Sequence, residues 1–324
     1  MHGTGNEKHR WGVILAGGDG NRLRPLTHLL SDDDRPKQFC PLLDGKTLLA
    51  QTQLRIAGAV DPHRTLFVLN KLHEPFYREE LAKVPAIQKI VQPGNRGTLP
   101  AILWSLLRIV RFDEHAVVTF FPSDHYYTQE EKFIAGIASG YELAELHPRN
   151  VIILGAEADR PETQYGWIEP GTSVASPLGN RLTRVKSFWE KPSSEIAQCL
   201  LDQGCLWNTF VMVGRASAFL RMIQQTAPAI YGEFGSILML PGFETTSESE
   251  VTQPFYDQLS TADFSKAVLS ANPKDLRVAS LGDIGWSDLG DPRRLITTLF
   301  ETGMDNPWVS SGSCTQCGVS LAVR

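Results

Sequence analysis

Five short apolar runs, at residues 11–16, 65–69, 116–121, 151–154 and 210–213, leave this chain few folds to choose from. Each has the length of a strand, and each is almost wholly apolar, with only Thr65 and Thr119 as exceptions, rather than alternating with polar residues. Strands of that kind need cover on both faces. Helical spacing of apolar residues occurs at 48–57, 99–110 and 133–146. Strands alternating with helices predict an α/β chain, with a mixed, mostly parallel sheet sandwiched between helical layers. The third helix has a visible beginning: Thr128 is placed to cap it, Glu131 follows three residues on, and Phe133, Ile134, Ile137 and Tyr141 repeat at helical spacing. Between Thr163 and Phe188 the pattern changes to short polar-rich strands and turns, which predicts a small inserted antiparallel sheet.

At 324 residues and 42% hydrophobic content, the chain can bury a substantial core. A formal charge of −5, spread over mixed acids and bases, leaves no basic stripe, so a nucleic-acid partner is not expected. Nor is a membrane: no apolar run approaches the ~20 residues that a span requires. The five cysteines (Cys40, Cys199, Cys205, Cys314, Cys317) are odd in number and follow no secretory signal, so the expected setting is reducing and cytoplasmic. Cys314 and Cys317 have the spacing of half a zinc site, but no second ligand pair accompanies them. Residues 1–10 are expected to be a flexible arm, 11–300 a single domain and 301–324 a short tail.

The first apolar run opens into Leu15-Ala16-Gly17-Gly18-Asp19-Gly20-Asn21-Arg22-Leu23-Arg24. A glycine-rich turn at the end of a strand can bring backbone N–H groups against phosphate. Two better-known loops are excluded by residue identity. A dinucleotide fingerprint from Gly18 needs glycine at Leu23, and a P-loop ending at Gly45-Lys46-Thr47 needs glycine at Cys40. Arg22 and Arg24, with Arg35 and Lys37 downstream, would bring cations to the same phosphate. Ser123, Asp124 and His125 follow another apolar run, where side chains reach a ligand crevice, and a carboxylate there can hold Mg²⁺.

The glycine-rich run, together with Pro36-Lys37-Gln38-Phe39, resembles the signature of the nucleoside-diphosphate-sugar pyrophosphorylases, in particular the bacterial mannose-1-phosphate guanylyltransferases. That resemblance implies a Rossmann-like α/β/α sandwich, the nucleotide-diphospho-sugar transferase fold. It also implies guanylyl transfer from GTP to mannose 1-phosphate, giving GDP-mannose and pyrophosphate with Mg²⁺ as cofactor. Leu15, Ala16, Gly17, Gly18, Gly20 and Ser123 would then meet the nucleotide, and Asn95, Thr98 and Pro100, from a turn similar to the family's base-binding element, would join them. Gly166 and Glu169, from the turn after Arg160, would meet the sugar. Glu190-Lys191-Pro192 is similar to the motif that places lysine on the sugar phosphate, and Trp207-Asn208 to one that touches the sugar. Trp286-Ser287-Asp288-Leu289-Gly290 resembles the family's late acidic motif, so the metal ligands would fall on Asp124 and Asp288.

The nucleophile in such a reaction is already an anion, so no general base is needed. Catalysis would come from positioning and charge neutralisation by Arg22, Lys37, Asp124 with its metal, and Lys191. Family members carry a β-rich module after the late motif, in whose place only 301–324 stand here; a homodimer is the ordinary expectation. Two other readings stay open: a glucose-1-phosphate thymidylyl- or uridylyltransferase, and a non-catalytic sugar-nucleotide-binding subunit.

Overall fold

The computed structural model describes residues 7–175, 181–238 and 248–302. Among these residues eleven strands run in chain order: β1 Arg10–Leu15, β2 Thr65–Asn70, β3 Lys89–Gln92, β4 Val117–Pro122, β5 Tyr126–Tyr127, β6 Val151–Glu157, β7 Gly166–Val174, β8 Leu182–Glu190, β9 Leu206–Arg215, β10 Leu276–Ser280 and β11 Trp286–Ser287. Nine of them form one sheet in the order β3-β2-β1-β4-β9-β6-β10-β8-β7, and β5 pairs with β11 apart from it. Neighbours are parallel from β3 to β4 and between β6 and β10; β9 runs antiparallel to both of its flanking strands.

The period of two along each strand sends successive side chains to two cores. Val13, Val68 and Phe120 pack under the helix Thr98–Phe112, whereas Ile14, Phe67, Leu69 and Phe121 pack under Glu130–Leu146 and Leu48–Ile56. This is the two-faced cover that unbroken apolar runs demand, and the mixed sandwich expected from the sequence is present. The polar-rich stretch forms the antiparallel hairpin β7–β8, hydrogen-bonded onto the main sheet through β9 and β10.

Three local expectations need correction. The helix Glu130–Leu146 has Gln129 at its N-cap with no side-chain bond, because the Thr128 hydroxyl donates instead to the Ile284 carbonyl. Part of the supposed flexible arm is ordered: Arg10 pairs with Val117 in the sheet, and the His9 imidazole bonds Asp113 at 2.8 Å. The last apolar run is only the middle of β9. Asn208 and Thr209 interrupt the apolar pattern of its first half, and Phe210 takes a left-handed φ of 61°, held by a bond from its N–H to the Asn208 side chain. The tail with Cys314 and Cys317 lies outside the described residues, as do the first six residues. Among the described residues no helix is long and apolar enough to cross a membrane.

Candidate active site

The chain leaves β1 to build β2 and β3 on one side, then returns to place β4 on the other, so β1 and β4 flank a switch point. Ligands bind at such a point, beyond the carboxyl ends of the strands. Leu15 lies opposite Pro122, and the Ser123 N–H donates to the Leu15 carbonyl. The glycine-rich loop and the Ser123-Asp124-His125 turn therefore emerge side by side. Above them opens a cavity of about 400 Å³.

Leu15, Gly17, Gly18, Arg22 and Ser123 line it. The loop is braced from beneath by Gln38, 2% exposed, whose amide donates to the carbonyls of Ala16 (3.1 Å) and Gly18 (2.7 Å). With those carbonyls turned inward, the loop is shaped before any anion arrives. Gly20 has φ 61°, and a Cβ there would sit 3.0 Å from the Lys37 N. It therefore permits the turn without lining the cavity; Ala16 is likewise buried beneath it. Of the four cations expected, only Arg22 lines the cavity. Arg35 is held by Asp33 and Arg24 is exposed.

Lys37 is buried just under the cavity floor, its ammonium 3.1 Å from Asp124 Oδ2 and donating to the main-chain carbonyl of Asp288. It thus ties the two acids together. Asp288 Oδ1 accepts from Arg294 (2.6 Å), the Gly290 N–H (2.8 Å) and the Tyr165 hydroxyl (3.1 Å), and Arg22 stands 3.5 Å from Oδ2. Burial opposes ionisation of Asp288, but the charges of Lys37 and Arg294 outweigh it and bring the pKa down to about 2. Burial drives His125 the other way for a base, to about 4, so its ring is neutral at ordinary pH. The Trp286 indole donates to His125 Nδ1, which puts the ring proton on Nε2, 3.9 Å from Asp124 Oδ1.

Asp124 Oδ1 and Asp288 Oδ2 are consequently the carboxylate oxygens left for a cation. One or two carboxylates completed by water and phosphate oxygens are the usual protein share of a Mg²⁺ site, and this donor set fits it.

On the opposite wall Gly166, Glu190, Lys191 and Asn208 come together. A Cβ on Gly166 would lie 3.0 Å from Glu190 Oε2 and 3.2 Å from the Asn208 Cβ, so glycine keeps the carboxylate in place. Lys191 adopts φ 50°, with its ammonium 3.3 Å from Glu190 Oε1. Burial, then the nearby charge of Asp263, pushes the Glu190 carboxyl up; Lys191 opposes them. Glu169 is not at the cavity. Gly166 and Ile168 face one side of β7 while Trp167 and Glu169 face the other, and Glu169 pairs there with Lys186 of the neighbouring strand.

Asn95 and Thr98 also line the cavity, but both are engaged. The Asn95 amide donates to Asp19, and the Thr98 hydroxyl donates to Asp263 (3.3 Å) while accepting the Phe264 N–H (2.8 Å). Pro100 is buried within the first helical turn and does not line the cavity. The Leu99 N–H is taken by the Ala262 carbonyl, and a Cβ on Gly97, φ 87°, would fall 2.3 Å from that oxygen. Asp263, Ser265, Phe210, Tyr165 and Trp286 also line the cavity, and sequence motifs pointed to none of the first three.

Residues 11–302 match the model of the nucleotidyl transferase family. The chain is 30% identical over 297 residues to the xanthan biosynthesis protein XanB of Xanthomonas campestris pv. campestris, in an alignment covering 91% of this chain and 60% of that one. It is 29% identical over 302 residues to mannose-1-phosphate guanylyltransferase 2 of Escherichia coli O157:H7, again covering 90% of this chain and 60% of the other. It thus spans about 60% of the length of these curated relatives. The solved mannose-1-phosphate geranyltransferase from Thermus thermophilus superposes with a TM-score of 0.76 at 28% identity, over 92% of this chain and 80% of that one.

Proposed function

Because this chain belongs to the nucleotidyl transferase family, we propose that it transfers the guanylyl group of GTP to mannose 1-phosphate, forming GDP-mannose and pyrophosphate. The observation that carries this reading is the convergence, on one cavity, of the glycine-rich loop with Arg22, the acids Asp124 and Asp288, and the Glu190-Lys191-Asn208 wall. The choice of guanine and mannose follows the relatives named for that reaction.

In this reading the triphosphate lies along the N–H groups of Gly17 and Gly18, with Arg22 beside it. Lys191 holds the sugar phosphate, and Glu190 and Asn208 accept from and donate to the sugar hydroxyls. An oxygen of the sugar phosphate attacks the α-phosphorus; the bond to the bridging oxygen breaks, and pyrophosphate leaves with that electron pair. No proton has to move, which agrees with a neutral His125 held by Trp286. Asp124 and Asp288 would hold Mg²⁺, which when bound neutralises charge on the α-phosphate and the leaving group. Lys37 keeps the two acids in register from below.

The test is pyrophosphate release by the purified chain with Mg²⁺, offering GTP, UTP, dTTP and ATP each with mannose 1-phosphate and with glucose 1-phosphate. Release confined to GTP with mannose 1-phosphate is the expected result. Release with dTTP or UTP and glucose 1-phosphate would replace the substrate assignment; none from any pair, with GDP-mannose still bound, would make the protein a sensor.

A further inference from the structure

The helix Pro292–Thr302 begins with a guanidinium that no motif marks. Arg294, its side chain 9% exposed, meets three carboxylates, two from the turn before its helix and one from far away in the chain: Asp288 Oδ1 at 2.6 Å, Asp291 Oδ2 at 3.2 Å and Glu162 Oε2 at 2.9 Å. Its Nη1, Nη2 and Nε each face a separate acid, an arrangement open to a planar fork and closed to an ammonium. The stem is fixed as well, since Asp291 Oδ1 accepts the N–H groups of Arg293 and Arg294. The guanidinium also sits 4.6 Å over the Tyr165 ring.

Arg294, Tyr165 and the Gly290 N–H together occupy Asp288 Oδ1, so only Oδ2 is left toward the cavity. Gly290 keeps the pair closed: a Cβ there would lie 2.4 Å from Asp288 Oδ2 and 2.8 Å from Arg294 Nη1. The same contacts reach the sugar wall. The Tyr165 carbonyl accepts the Lys191 N–H, and the Glu162 carbonyl accepts the Trp167 indole.

We propose that Arg294 is a positioning residue: it sets which oxygen of Asp288 faces the cation and links that carboxylate to the turn at 162–165 that carries the sugar wall. The inference rests on the reading above in taking Asp288 as a ligand of the divalent cation.

The experiment is Mn²⁺ titration of the full chain with GTP present, followed by electron paramagnetic resonance, on the wild type, Arg294→Met, Arg294→Lys and Gly290→Ala, with Tm and steady-state kinetics alongside. Arg294→Met should lose about tenfold in Mn²⁺ affinity. Its kcat should fall about 100-fold while KM for GTP stays within about twofold. Gly290→Ala, whose methyl would meet Asp288 Oδ2 at 2.4 Å, should also lose Mn²⁺ affinity and is the control for a displaced Asp288; Arg294→Lys serves where Arg294→Met does not fold. Arg294→Lys should hold Tm within about 3 °C of the wild type and still lose Mn²⁺ affinity. Wild-type Mn²⁺ affinity and kcat in the folded variants, with only Tm lowered, overturns the proposal, as does full recovery by lysine or a wild type that binds no Mn²⁺ with GTP. A wild type that binds Mn²⁺ but releases no pyrophosphate refutes the reaction above, and the affinities still decide the role of Arg294.

Discussion

Asp124 offers Oδ1 to the cavity while Lys37 holds Oδ2. Asp124→Asn keeps the shape and removes the charge, so turnover should fall by about three orders of magnitude with Tm little changed, measured by pyrophosphate release and thermal melting. The two glutamates on the hairpin give a sharper contrast. Glu190→Gln should raise KM for the sugar phosphate about tenfold, whereas Glu169→Gln, on the far face of β7, should leave it within about twofold. Equal effects of the two would put Glu169 back at the site. Residues in contiguous motifs, such as Gly17, Arg22, Asp124 and Lys191, were legible in the sequence because their chemistry travels with the motif. Glu169 was misplaced because an offset of three along a strand reverses the face, and a spacing rule cannot see strand register. Arg294 and Asp263 were invisible because neither belongs to a motif, and Glu162 and Thr98, which each meets, stand far away in the chain.

Two elements depend on single anchors. The N-terminus of the helix Thr98–Phe112 is closed by residues 262–264, which lie against Gly97. Gly97→Ala forces a methyl into the Ala262 carbonyl at a positive φ, and should cost about 2 kcal/mol or more, read as a lowered denaturation midpoint. Asp113 joins the start of β1 to the turn before β4, accepting from the His9 imidazole and the Trp11 indole (2.9 Å). Burial opposes its charge, but those donors outweigh it and hold the carboxyl below 3.8. A depressed folded pKa means that this contribution is complete above pH 3.8 and is lost as pH falls through the folded value. Asp113→Asn should therefore melt about 5 °C lower at pH 7, with the gap narrowing as pH falls below 3.8. A gap constant with pH would show that the charge contributes nothing. The caps themselves were harder to foresee: Thr128 has the right chemistry and position for one, and a tertiary carbonyl, Ile284, competes it away.

Across the whole molecule, unbroken apolar runs and helical spacing fixed the sandwich in advance, because cover on both faces is the only way to satisfy them. The order of the strands, and β9 running against its neighbours, were not legible, since pairing is settled by contacts that a linear pattern does not encode. If the cavity binds the product, GDP-mannose at about a hundredfold excess over Kd should stabilise the fold by about 2.7 kcal/mol, a rise in Tm that unrelated sugar nucleotides should not match. Lys37, finally, reaches across 251 residues of sequence to the Asp288 carbonyl. During synthesis at about 5–20 residues per second, the glycine-rich loop must wait on the order of tens of seconds for its acidic counterpart to be made. A nascent chain therefore has no finished pocket to fill, and nucleotide cannot act as a template for its early folding.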